Sequence, residues 1–294
     1  MSYIGLDIQT LDNGDRIVAQ GGCRKRILER FNEILQRTNK KVKMVSDIDV
    51  FNLNSNKEDS EVQLTDKGKR AYLSAVMSLM FLSRLTRYDM LFWNCYLATR
   101  CKSPNKRDFE GLVRLLKYLE GSGNWGIRFK ALVRVAIRQW CDSAHALHFD
   151  GRGQRGICTS LGSGLIVALS RIIKMMTLSS TESELYCMTE GAAIIKWLKS
   201  FIGTLGFSDN KRPVPKMYED NNAAIWWSKE DMTYARTKHM MIKKSCVKEA
   251  VEEGVFVVIS CDTASMNADM LTKPTQSNRM LMLMGNMGME RVDG

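Results

Sequence analysis

The chain has 294 residues, 45% apolar and 26% charged, a globular balance that excludes disorder throughout and leaves room for two modest domains. Its opening, MSYIGLDIQT, lacks the basic and apolar regions of a secretory signal, and no apolar run approaches the roughly 20 residues that span a bilayer, so an intracellular protein without a membrane partner is expected. Lysine and arginine total 43 against 32 acids for a net +11, and the excess is uneven: residues 1–133 carry 23 bases and 15 acids, which suits a polyanionic partner for the first part.

In chain order, Ile27, Leu28, Phe31, Ile34 and Leu35 recur at helical spacing beside Arg24, Lys25, Arg26 and Arg30, predicting a basic amphipathic helix. Residues 38–66 are polar and aperiodic and read as a linker. Helical spacing resumes from Tyr72 to Arg100 and from Asp108 to Glu120, and Gly121, Gly123 and Gly126 end it. After Ala131 the pattern alternates, with Val133, Val135 and Ile137 leading a strand to Asp142. Gly156 to Ser160 and Leu165 to Ser170 continue an antiparallel meander. A long helix follows, carried by Leu185, Met188, Ala192, Ile195, Leu198, Ile202 and Leu205 and closed by Gly206. Then come a strand over Val214 to Asp220, a short helix over Asn221 to Ser228, a helix over Ile242 to Glu252, a strand over Val255 to Cys261 and a last helix from Asn267. Strands first and alternation afterwards predict an α/β fold with a mixed sheet flanked by helices. The eight cysteines form no CxxC pair, and three histidines give no zinc-finger spacing, so the thiols read as reduced packing groups.

Four carboxylates fall at predicted element ends: Asp142, Glu184, Asp220 and Asp269. Each has a structural alternative as a turn, cap or helix-dipole residue. Thr181 with Glu184 fits a capping box, yet Ser179 with Glu182 fits the same box, so capping need not consume Glu184. Taken together, carboxylates converging from strand ends and a helix start are what a pair of divalent cations about 3.5 to 4 Å apart requires.

The motifs around these acids carry a resemblance. CDSAH at Cys141, SSTESELY at Ser179, YEDNNAA at Tyr218, RTKH at Arg236 and ADMLTK at Ala268 resemble, in order, the ribonuclease H domain of copia-type retrotransposon Pol polyproteins. YIGLDI, ILERF, YLSAVMSLMFL, TRYD and LLKYLEG resemble the segment joining that family's reverse transcriptase to its nuclease. The resemblance implies a ribonuclease H-like mixed five-stranded sheet flanked by helices, preceded by a mainly helical connection region. The domains would be residues 1–37, a remnant of the reverse transcriptase palm and thumb end; 38–66, a linker; 67–130, the connection; and 131–294, the nuclease. It also implies hydrolysis of the RNA strand of RNA/DNA hybrids with two Mg2+ ions, Mn2+ being an alternative, held by Asp142, Glu184, Asp220 and Asp269. Arg236, Lys238 and His239, with Arg24, Lys25 and Arg26, would contact nucleic acid. A polymerase domain or integrase of the same element would be a partner, in the cytoplasm within a virus-like particle or in the nucleus. The polymerase Tyr-x-Asp-Asp loop is missing, so no DNA synthesis is expected. Ala144 and His145 replace an aspartate and a tryptophan, Ile173 replaces a glutamine, Met77 and Tyr88 replace a glycine and a proline, and Met241 and Ser245 replace an aspartate and a histidine. These departures motivate a second reading: an inert relic that binds nucleic acid or a polymerase partner. A third, a Holliday-junction or transposase nuclease with the same acids, predicts cutting of DNA.

Overall fold

The computed structural model describes residues 2–37, 42, 62–131, 134–206, 212–229 and 240–292. The chain divides into two compact units, Met1–Ala131 with Pro274–Gly294, and Leu132–Lys273. No helix among the described residues is long and apolar enough to cross a membrane.

The first unit opens with strands β1 (Ser2–Tyr3), β2 (Leu6–Thr10) and β3 (Arg16–Ala19). The predicted basic helix follows as α1 (Gly21–Arg30) and α2 (Asn32–Leu35), broken at Phe31. Only Val42 and residues 62–66 of the expected linker lie within the described residues, and helix α3 (Asp66–Leu85) starts at its end, capped by the Thr65 hydroxyl. The helix expected to run on to Arg100 is interrupted after Leu85 by a 3-10 turn, Tyr88–Met90, and resumes as α4 (Leu91–Thr99). The break encloses a buried ion pair. Arg87 Nη2 meets Asp89 Oδ2 at 2.7 Å, Tyr118 Oη donates to the same carboxylate at 2.6 Å, and Ser122 accepts from Arg87 at 2.7 Å. Helix α5 (Lys106–Gly121) supplies Tyr118 and starts with an Asn105/Asp108 capping box. Strand β4 (Trp125–Phe129) then returns the chain to β3.

The second unit is built on a meander of β5 (Ile137–Ala144), β6 (Gln154–Leu161) and β7 (Leu165–Ile172). Helix α6 (Ser180–Thr204) leads to β8 (Lys216–Glu219), which is parallel to β5. After α7 (Asn222–Trp227) and α8 (Met241–Glu252), β9 (Val257–Ser260) adds in parallel to β8. The sheet order is β7-β6-β5-β8-β9. This is the expected five-stranded mixed sheet flanked by helices. Its core is a contiguous cluster that includes Cys141, Ile157, Leu185, Met188, Ile195, Met217 and Phe256.

Two glycines let flanking segments close onto this sheet. A Cβ at Gly191 of α6 would lie 2.5 Å from Gln139 Oε1 and 2.7 Å from Cys141 Sγ, so the bare backbone brings α6 against β5. At Gly156 of β6 a Cβ would lie 2.7 Å from Thr272 Cγ2 and 2.9 Å from the Ala268 carbonyl, both on a 3-10 segment, Asn267–Leu271, and the residue after it. That segment replaces the start of the predicted last helix. The helix itself, α9 (Ser277–Asn286), begins only after Pro274, whose ring and missing N–H oppose continuation. Strand β10 (Met289–Arg291) then pairs antiparallel with β4 and completes a first-unit sheet of order β1-β2-β3-β4-β10. Residues 274–294, expected to continue the nuclease segment from 131, therefore return to the first unit, where Arg128 bridges Asp15 at 2.8 Å and Glu290 at 3.3 Å. Residues 67–130, the segment expected to be mainly helical, are so: α3, α4 and α5 fill most of it, and it contributes the single strand β4 to this sheet.

Candidate metal centre

The site assembles where three elements end. Parallel pairing sets Trp140 beside Tyr218, and carrying that register two residues further brings Asp142 level with Asp220 just past the end of β8. Glu184 lies in the opening turns of α6. The cap there is Ser179, whose hydroxyl accepts from the Glu182 N–H at 3.1 Å, while Glu182 accepts from the Leu178 N–H at 2.7 Å. Glu182 is therefore the capping acid, and Glu184 reaches back to β5, accepting from the Ser143 N–H at 3.1 Å. Asp142, Glu184 and Asp220 each present an oxygen within 4.8 Å of the others. Asp150, the other acid near the end of β5, ion-pairs with Arg152 instead.

Asp269 is fully buried beside this trio but outside it, with Oδ1 2.6 Å from Lys273 Nζ. The Thr272 hydroxyl donates to Asp142 Oδ2. The sequence did not single out Lys273, Thr272 or Glu219 as site residues. Glu219, next to Asp220, is fully buried, accepts from the Asn221 N–H at 3.1 Å, and leaves Oε2 without a partner. Its signal was the period of two along β8, which puts Glu219 on the same face as the core residue Met217.

The electrostatics are those of crowded acids in a dry place. Burial pushes the Asp142 carboxyl up to about 7, with Asp269 and Asp220 adding to the rise and Lys273 and Thr272 opposing it. Burial raises Glu184 well above the carboxylate range, helped by the charges of Glu219 and Asp142. Glu219 is raised in the same way, again chiefly by burial. Desolvation would lower the Lys273 ammonium, but the carboxylates of Asp142 and Asp269 outweigh it and hold the pKa above its ordinary value. Glu184 Oε2 is buried without a hydrogen-bond partner, as is Glu219 Oε2. Orphaned carboxylate oxygens are costly unless something positive meets them. The residues therefore fit a hard divalent cation, for which an all-oxygen donor set is suited.

A pH dependence follows. An acid whose pKa is higher folded than unfolded binds its proton more tightly in the native state, so its contribution is fully present below about pH 4 and is lost as pH rises through about 7. The metal-free protein is expected to melt at a lower temperature at pH 8 than at pH 5, with a smaller gap in Asp142→Asn and in wild type supplied with Mg2+. Equal gaps in all three samples would count against the crowding.

Of the other expected contacts, Arg236, Lys238 and His239 lie outside the described residues. Arg24 is committed to the end of α5, donating to the carbonyls of Leu119 at 3.0 Å and Glu120 at 2.8 Å, where a cation also complements the helix dipole. Lys25 and Arg26 are exposed on α1. His145 is tied by Nδ1 to Thr177 at 3.0 Å and Ser183 at 3.2 Å.

Comparison with known proteins places the chain. It is 30% identical over 259 residues, 87% of its length, to the "Retrovirus-related Pol polyprotein from transposon TNT 1-94" of Nicotiana tabacum, and 28% identical over 79% of its length to the Pol polyprotein from transposon RE1 of Arabidopsis thaliana. The chain is a homologue of copia-type retrotransposon Pol polyproteins. This Pol homologue spans 19% and 16% of the length of those two relatives. No protein-family model matches it. Among solved structures it is similar to RNase H1 of the archaeon Halobacterium salinarum, at 13% identity over 45% of this chain and 90% of that one, with a TM-score of 0.34.

Proposed function

We propose that the second unit is a ribonuclease H that cleaves the RNA strand of RNA/DNA hybrids, and that in the first unit residues 1–37 are a reverse transcriptase palm and thumb remnant and residues 67–130 the connection region. The observation that carries this reading is the convergence of Asp142, Glu184 and Asp220 within 4.8 Å, in a chain whose relatives are Pol polyproteins.

Divalent cations bound there, two Mg2+ ions or Mn2+ in their place, would activate the attacking water and neutralise charge on the departing 3′ oxygen, leaving 5′-phosphate and 3′-hydroxyl ends. Asp142, Glu184 and Asp220 hold the ions, with Asp269 completing the set. The Thr272 hydroxyl fixes Asp142, and the Ser143 N–H fixes Glu184 so that its second oxygen stays available. Lys273 holds Asp269 in place and offsets charge among the acids. Preference for RNA comes from contacts to the 2′-hydroxyl across the minor groove, and affinity from neutralised phosphates, so binding weakens with salt. Lys25 and Arg26, with Arg236, Lys238 and His239, are the candidates for those contacts. A polymerase domain or integrase of the same element would act alongside, in a cytoplasmic particle or the nucleus.

The test is a substrate panel with Mg2+: labelled RNA/DNA hybrid, duplex DNA and a four-way junction. Cleavage confined to the RNA strand of the hybrid is the expected result. Cutting of DNA duplex or junction would replace this reading with a DNA nuclease on the same acids. No cleavage of any substrate, matching Asp142→Asn, would leave a nucleic-acid-binding relic.

A further inference from the structure

The first unit contains a cavity of about 420 Å³ between Arg37, Leu64 and one face of α5. Lys106, Glu110, Arg114 and Lys117 recur along that face at helical spacing, so the wall presents three cations and one acid. Lys117 is spoken for by Glu120 at 2.9 Å. Arg114 is not: its Nη1 is buried and has no hydrogen-bond partner. A buried guanidinium N–H left unpaired is costly, so an acceptor arriving from outside the chain would gain what the fold forgoes. In the same lining the Arg37 guanidinium lies 4.8 Å over the buried Phe109 ring, which backs a flat, exposed cationic plane. A second cavity of about 660 Å³, lined by Arg30 and Lys67 among others, shares Arg37, Leu64 and Phe109 with the first. The two neighbouring spaces thus meet the same cation and aromatic ring, and each is within the range of small-molecule sites, about 300–1,000 Å³.

We propose that these neighbouring cavities form a groove for single-stranded nucleic acid, with a phosphate on Arg114 and Lys106 and the neighbouring nucleotide beside Arg37. Charge chooses the ligand class, since the described lining offers Arg30, Arg37, Lys67, Lys106 and Arg114 against Glu33 and Glu110. The double cavity chooses a strand over a single anion: phosphates spaced along a backbone can occupy both spaces, and a base can lie on the exposed Arg37 guanidinium plane. This inference concerns a surface that the metal centre does not use, and it holds whether or not the acids of the second unit cleave anything.

The test is fluorescence anisotropy on the full chain with labelled eight-nucleotide single strands, without divalent metal so that no strand is cut. Arg114→Gln is expected to weaken binding about tenfold and Lys106→Gln about threefold, each lowering the salt slope by about one. Lys196→Gln, an exposed cation of the second unit, leaves binding unchanged. Lys106 is exposed, so its variant keeps the proposal testable if Arg114→Gln proves poorly folded in a thermal melt. Wild-type affinity and salt slope in folded variants of both residues would overturn the groove. Mononucleotide or inorganic phosphate binding as tightly as the strand would overturn the choice of a strand.

Discussion

Asp142→Asn is expected to lower RNA-strand hydrolysis by more than about a hundredfold while raising the melting temperature of the metal-free protein at pH 8. Losing even a supporting contact to a metal ligand typically costs about 10–100-fold, so losing a ligand itself exceeds that. The stability gain has a separate origin. Asp142 is buried at 3% exposure among Glu184, Asp220 and Asp269, and its ionised form is what the fold resists. Asparagine keeps an oxygen for the Thr272 hydroxyl and removes the charge, so the destabilisation that grows through about pH 7 disappears. Kinetics on labelled hybrid and melts at pH 5 and pH 8 check the two halves. A variant that loses activity and also melts lower at pH 8 would mean that Asp142 is a structural residue.

Gly156→Val is expected to cost on the order of 3 kcal/mol, the upper part of the range for overpacked cores. The first added carbon already lies 2.9 Å from the Ala268 carbonyl and 2.8 Å from Leu271 Cβ, and backbone cannot swing aside as a side chain can. The 3-10 segment must lift from β6, which withdraws Thr272 from Asp142 and moves Asp269, so hydrolysis falls together with stability. Gly203→Ala is the control. Nothing lies within 4 Å of a Cβ there, and the site is inside α6, so the variant gains up to about 1 kcal/mol of helix propensity. Chemical denaturation of both variants decides the matter, and equal midpoints would show that close packing at Gly156 is not what seats the segment.

What the sequence revealed and what it hid divide along local and distant information. The Ser179/Glu182 cap, the periodic face of α6 and the meander are written in neighbouring residues, and the cap leaves Glu184, expected in the first turn, one turn further along α6. The first-unit sheet escaped because its strands are two to five residues long and its last member comes from residues 289–291, far along the chain from β4. The break after Leu85 escaped because no glycine or proline marks it; Thr86 and Arg87 leave the helix to bury an ion pair with Asp89. Lys273 and Thr272 were quoted within ADMLTK, but only the 3-10 geometry turns one toward Asp269 and the other toward Asp142. Glu219 was visible as a letter, but its burial depends on which side of β8 faces α6.

Isothermal titration of Mn2+ into metal-free wild type and into Glu184→Gln bears most directly on the idea that these acids form one cation-holding pocket. The expected result is saturable binding by wild type, with proton release as the raised carboxyls ionise, and at least about tenfold weaker binding by the variant, since Glu184 supplies a buried oxygen that has no other partner. Superimposable isotherms for the two proteins would contradict it.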